Sequence, residues 1–96
     1  MATVIIPTPL RKFTNNTAKL TVHANNIAEM VQNLTTDFPK LKKHLLDANG
    51  KIPSFINIFV GDEDIRNLQL EQTVVTENTI ISIVPAIAGG APLNDY

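Results

Sequence analysis

No cysteine occurs among the 96 residues of this chain, which excludes disulfide bonds, thiolate nucleophiles, iron–sulfur ligation and cysteine-type zinc sites. An excess of either charge sign is also missing. Lys and Arg total 8 against 9 Asp and Glu, a net charge of −1, so no footprint for nucleic acid or an anionic membrane is visible. No stretch approaches the length of a transmembrane helix. The opening Met1-Ala2-Thr3-Val4-Ile5-Ile6-Pro7 has no basic segment before its short apolar run and no cleavage-like site after it, and a cytoplasmic location is expected. Built-in chemistry is absent as well. There is no phosphate-cradling glycine loop, nucleophile elbow, HExxH motif or pair of carboxylates in an evident cleft. A chain this short is better suited to being held by an enzyme than to being one, so no catalytic residue, metal or bound cofactor is expected.

What the chain does have is a 44% hydrophobic content and an ordered series of periodic segments, enough for one domain with a modest core. Residues 2–7 read as a strand ended by Pro7-Thr8-Pro9, and residues 10–17 as a hairpin connection. In residues 18–24, Leu20 and Val22 alternate with Lys19, Thr21 and His23, the period of a half-buried strand. Ile27, Met30, Val31, Leu34 and Phe38 then recur at helical spacing. Asn26 is the expected N-cap, with Glu29 completing a capping-box-like pair. Pro39 interrupts this helix, and residues 40–46 form a second helical piece with Leu41 and Leu45 on one side. Residues 54–60 are a strand with Ile56, Ile58 and Val60 toward the helix. Residues 65–70 read as a short strand or irregular crossing, 72–78 as a loop, and 79–85 as a last strand with Ile81 and Ile83 inward. This order predicts an α+β roll: a mixed sheet of four to five strands with one main helix packed on one face.

The polar clusters have ordinary readings. Asp62-Glu63-Asp64 is read as a solvated turn with Arg66 as a nearby counter-charge, His23 and His44 as surface residues, and Lys40, Lys42 and Lys43 as a small basic patch on a solvated face, the alternative being that it helps orient an acidic partner. Phe55, Phe59, Ile80 and Val84 are harder to dismiss. They are expected on the uncovered face of the sheet, as an apolar partner surface next to the last strand's exit.

Beyond that strand, Pro85 to Gly90 carries no polar side chain and closes on Gly89-Gly90. Two glycines in a row make the slimmest peptide available, able to thread a narrow channel. The domain is expected to span residues 1–88, with residues 89–96 a flexible arm.

Taken in order, Phe55-Ile56-Asn57-Ile58-Phe59-Val60-Gly61-Asp62-Glu63-Asp64-Ile65-Arg66 and Ile81-Ser82-Ile83-Val84-Pro85-Ala86-Ile87-Ala88-Gly89-Gly90 resemble the ubiquitin-like sulfur carriers of the MoaD/ThiS type. The opening Ile6-Pro7-Thr8-Pro9-Leu10-Arg11 is similar to that of the subgroup serving cysteine biosynthesis. The resemblance covers residues 2–90 and implies a β-grasp fold. It implies that Gly90 is the site of adenylation and of the thiocarboxylate, that Gly89 keeps the arm slim, and that Ala86, Ile87 and Ala88 line a partner's channel. The implied partners are an E1-like adenylating and sulfur-transferring enzyme that uses ATP and magnesium, and a pyridoxal-phosphate-dependent synthase that accepts the sulfur. One departure is evident. Ala91-Pro92-Leu93-Asn94-Asp95-Tyr96 follows the diglycine, leaving Gly90 in an amide bond with no carboxylate to activate. The resemblance therefore implies a precursor cut between Gly90 and Ala91 by a JAMM-type zinc metalloprotease. The alternative is a ubiquitin-like protein modifier, or a β-grasp interaction module without such chemistry.

Overall fold

The computed structural model describes residues 1–85. The expected boundary after residue 88, and with it Ala86, Ile87, Ala88, Gly89, Gly90 and Ala91, lies outside the described residues. Five strands are formed: β1 (Ala2–Ile5), β2 (Lys19–Val22), β3 (Ile56–Val60), β4 (Glu63–Asp64) and β5 (Ile80–Pro85). Two α-helices, α1 (Ile27–Asp37) and the single turn α2 (Lys42–Leu45), lie between β2 and β3 in the chain. The strands form one sheet in the order β2-β1-β5-β3-β4. Its central pair, β1 and β5, is parallel, and every other neighbouring pair is antiparallel. This is the expected mixed sheet with one main helix.

Strand alternation puts one set of side chains into the core. Ala2, Val4 and Ile6 are buried along β1 and its continuation, Ile56 and Ile58 on β3, and Ile81 and Ile83 on β5. They form one cluster with Ile27, Met30, Val31 and Leu34 of α1 and with Leu41 and Leu45. Val60 and Leu20 are half-buried and pack against it. The start of α1 is fixed by its side chains. Asn26 Oδ1 accepts from the Glu29 backbone N–H at 2.8 Å, while the Glu29 carboxylate reaches back to the N–H of Asn25 at 2.9 Å. That second bond goes one residue earlier than in the usual capping box. An Asn26→Ala protein is expected to lose about 1 kcal/mol, read as a lower urea midpoint with an unchanged slope.

Several segments differ in detail from the sequence-based expectation. The β1–β2 connection contains a 3-10 helix, Thr8–Phe13, started by its prolines and followed by Asn15 and Asn16 at φ 57° and 62°. Asparagine tolerates that left-handed region better than most residues. Thr14 is fully buried there, its hydroxyl 3.0 Å from the Thr17 carbonyl oxygen. Residues 40–46 divide into a 3-10 turn, Pro39–Leu41, and α2, because Pro39 has no N–H to continue α1 but suits a first helical position. The acidic triplet supplies β4 itself, paired with Phe59 and Val60 through a turn at Gly61, whose φ of 62° favours glycine. Residues 65–67 then form a 3-10 turn, so of the two expectations the irregular crossing holds and the strand does not. The loop before β5 is stitched to the start of α1: Val75 N–H donates to Asn25 O at 2.9 Å and Ile27 N–H to Thr73 O at 3.1 Å, and Val75 is buried.

Candidate functional site

The parallel pairing of β1 and β5 sets Thr3 opposite Ile80 and Ile5 opposite Ser82, so both strands run toward the same end of the sheet. β5 ends there at Pro85. The start of β3 lies at this end too, since Ile56 is opposite Pro85.

Phe59, Ile80 and Val84 belong to the face of the sheet away from α1, and Phe55 lies in the turn just before β3. Ile80 is 53% exposed, Phe55 49% and Val84 41%, while Phe59 is half-buried. They do not face one another in rows. Phe59 is directly opposite Ser82, and Val84 is opposite Asn57. Phe59 is instead the diagonal neighbour of both Ile80 and Val84. The result is a zigzag, Ile80–Phe59–Val84, along the β3/β5 seam, with Phe55 just before β3 at the exit end. Diagonal pairs on a sheet remain within reach of aromatic side chains. Reading residue parity on each strand could find the face; the interleaving needed the register.

Arg66 has a role that the sequence did not reveal. Its guanidinium donates to Asn57 Oδ1 at 2.6 Å, to Ser54 O at 2.7 Å and to Ile56 O at 3.3 Å. β4 covers only Phe59 and Val60, so Arg66 supplies donors beyond the paired stretch, to the Ile56 carbonyl of β3 and the Ser54 carbonyl before it. Its contact with Asp64, at 3.8 Å, is the longer one. Arg66 is therefore a clamp on the β3 edge more than a counter-charge for the acidic turn. Arg66→Ala is expected to cost about 1–2 kcal/mol, since bonds from a charged donor exceed neutral ones but this site is wet. Amide exchange should quicken along β3 in that variant while α1 stays protected.

The remaining polar residues keep to local duties. Asp64 accepts from the Arg66 N–H at 2.8 Å and caps the following turn, while Asp62 and Glu63 are exposed. His23 is exposed, and its carbonyl accepts from Asn33 at 2.6 Å. His44 is less free than expected: its ring stacks on Phe13 with centroids 4.5 Å apart. Among the described residues no group of three or more His, Asp or Glu is placed to hold a metal ion, and no helix is long and apolar enough to cross a membrane.

Against this geometry, comparison with known proteins is specific. The ThiS family matches residues 4–90. The sulfur carrier protein CysO of Mycobacterium tuberculosis is 31% identical over 90 residues, which cover 92% of this chain and 97% of the relative. Among solved structures, the BexX/CysO complex of Amycolatopsis orientalis contains a chain superposing with a TM-score of 0.84 at 30% identity, covering 94% of this chain and all of that one. The small archaeal modifier protein 1 of Methanosarcina acetivorans superposes with a TM-score of 0.83 at 23% identity over 93% of this chain and 95% of its own, a likeness of fold. The β-grasp sheet, the helix on one face and the match running through both glycines lead to one assignment: this chain belongs to the ThiS family.

Proposed function

We propose that this protein is a sulfur carrier whose working group is the carboxyl end of Gly90, exposed by removal of Ala91 to Tyr96. The observation that carries the reading is full-length similarity to a sulfur carrier, 31% identity over 90 residues, with the family match stopping at the second glycine. A carboxylate is a poor electrophile. Adenylation by an E1-like partner, which supplies ATP and magnesium at its own site, joins the carboxylate oxygen to AMP and releases pyrophosphate. Hydrosulfide then displaces AMP, the new C–S bond forming as the C–O bond to AMP breaks, and loss of a proton leaves a thiocarboxylate. This carrier supplies the acyl terminus and a surface by which to be held. Phe55, Phe59, Ile80 and Val84, leading to the exit end, serve as that surface. Gly89 admits the terminus to a tight channel, with Ala86, Ile87 and Ala88 behind it. The first step falls to a JAMM-type zinc protease cutting after Gly90. The last falls to a pyridoxal-phosphate enzyme that takes the sulfur into cysteine or a related amino acid. The need for ATP argues for the cytoplasm.

Intact-mass analysis of protein isolated from its native host tests the reading. A species ending at Gly90 is expected, part of it heavier by the difference between sulfur and oxygen. Full-length protein alone under sulfur-replete growth would refute it. Conjugates joined through Gly90 to lysines of other proteins would replace the carrier with a modifier.

A further inference from the structure

The charged residues of this protein sort by end of the sheet, although the whole chain has a net charge of only −1. The exit end is cationic. Arg11 follows β1 there and donates from Nε to Ile6 O at 3.0 Å. Lys12 carries its Nζ 5.3 Å from the centre of the Phe13 ring, and Phe13 stacks on His44. That stack ties the Thr8–Phe13 turn to the segment bearing Lys40, Lys42 and Lys43. Lys19 lies opposite Ile5 at the same end. On the other side of β5, Arg66 bonds the carbonyls of Ser54 and Ile56, next to Pro85. Cations thus stand on both sides of the point where the chain leaves the sheet.

The acids on this side are few and engaged. Asp47 is occupied by the backbone N–H groups of Asn49 and Lys51, Asp64 lies 3.8 Å from Arg66, and Glu71 lines a cavity with Lys51, Ser54 and Arg66. Asp37 lies beside Met1, Thr21 and His23 at the opposite end, where four more carboxylates gather. Asp62 and Glu63 follow Gly61, whose N–H donates to Ile80 O at the start of β5. Glu77 lies in the Thr76–Thr79 turn before that strand, and Glu29 in the first turn of α1. Arg66 with Asp64 is the only ion pair among the described residues, so Lys12, Lys40, Lys42 and Lys43 have no carboxylate partner there.

We propose that this cationic collar docks against an acidic rim around the channel of the partner enzyme that receives the chain beyond Pro85. The proposal rests on the carrier reading only for the partner's identity. A molecule with separated charge is turned as it approaches, and opposite-sign rims raise the rate of correct encounter more than they deepen the final complex. Here the turning presents the Pro85 end of the sheet first. A polyanion such as RNA would also attract the lysines. The opposite, acidic end and the net charge oppose it, and a duplex offers a peptide no channel to enter.

Two measurements decide the matter. The isotope-labelled full chain is titrated with an oligoglutamate peptide and, separately, with an RNA duplex, at low and high salt. Amide shifts confined to the neighbourhood of Lys12, Lys40 and Lys43, absent around Asp62 and Glu63 and abolished by salt, are expected with the peptide. No shifts, equal shifts at both ends, or tighter binding of the duplex overturn the proposal. In parallel, the chain ending at Gly90 is presented to the E1-like enzyme of its native host. The Lys12→Glu/Lys40→Glu/Lys43→Glu protein should show kcat/KM lowered about ten-fold or more at low salt with kcat unchanged. Asp62→Lys/Glu63→Lys should not show that loss. Equal charging of wild type and triple variant would remove the collar and leave the carrier standing. Failure to charge even the wild type, with the peptide still mapping to the lysines, would remove the carrier reading and leave the collar.

Discussion

Gly90→Ala protein is expected to fold as its parent does and to receive almost no sulfur. The added methyl group sits at the atom next to the reacting carboxyl, where a channel shaped for a diglycine has no room for it. Displacing a reacting group by about 1 Å costs on the order of a hundred-fold in rate, so ATP-dependent charging of the chain ending at Gly90 should fall by at least that much. The fold should not register the change. β5, the last strand among the described residues, ends at Pro85, and substitutions away from the packed core usually stay within about 0.5 kcal/mol. Pyrophosphate release with the host's activating enzyme gives the first quantity, and urea denaturation of the same sample gives the second. Normal charging would show that Gly90 is not the reacting residue. Loss of folding would show that the residue belongs to the domain, contrary to its expected place in an arm beyond it.

The two halves of that expectation were legible to different degrees in the chain itself. Periodicity carried the fold. Ile27, Met30, Val31 and Leu34 on one helical stripe, and Ile56, Ile58, Ile81 and Ile83 on alternating strand positions, all became buried. These patterns are strong because burial on one face imposes them residue by residue. Where contacts are non-local, pattern failed. Nothing around Arg66 announces that its guanidinium will close the β3 edge at Ser54 and Ile56, residues 12 and 10 positions away. Likewise, Val75 looked like part of a loop, yet its N–H donates to Asn25 O and its side chain is buried. The cationic end is a further case. Arg11 and Lys12 are distant in sequence from Lys40 and Lys43, and the Phe13–His44 stack brings their segments together. The diglycine itself was legible as a motif, because its meaning depends on the absence of side chains more than on tertiary structure.

The largest stability effect should come from Ile81→Ala, and its neighbour supplies the control. Ile81 is fully buried on β5, opposite Val4 of β1 on one side and Val60 of β3 on the other. Truncating a buried isoleucine removes its transfer energy and leaves a cavity that the two flanking strands can only partly close, a loss of about 2–5 kcal/mol. Small domains have total stabilities near the lower end of about 5–15 kcal/mol, so this variant should be partly unfolded at physiological temperature. Ile80, one position earlier, points to the other face and is 53% exposed. Ile80→Ala should change stability by only about 0.5 kcal/mol. Because side chains alternate strictly along a strand, a one-residue slip in β5 would exchange these two outcomes. Urea midpoints for the pair therefore measure the register. The same register sends Val84 and Ile80 outward, so Ile80→Ala should weaken the partner enzyme's hold on the carrier while the domain remains intact. If the hold is unchanged in the intact variant, the zigzag along the β3/β5 seam is ordinary surface, and recognition must rest on the charged end and on the residues past Pro85.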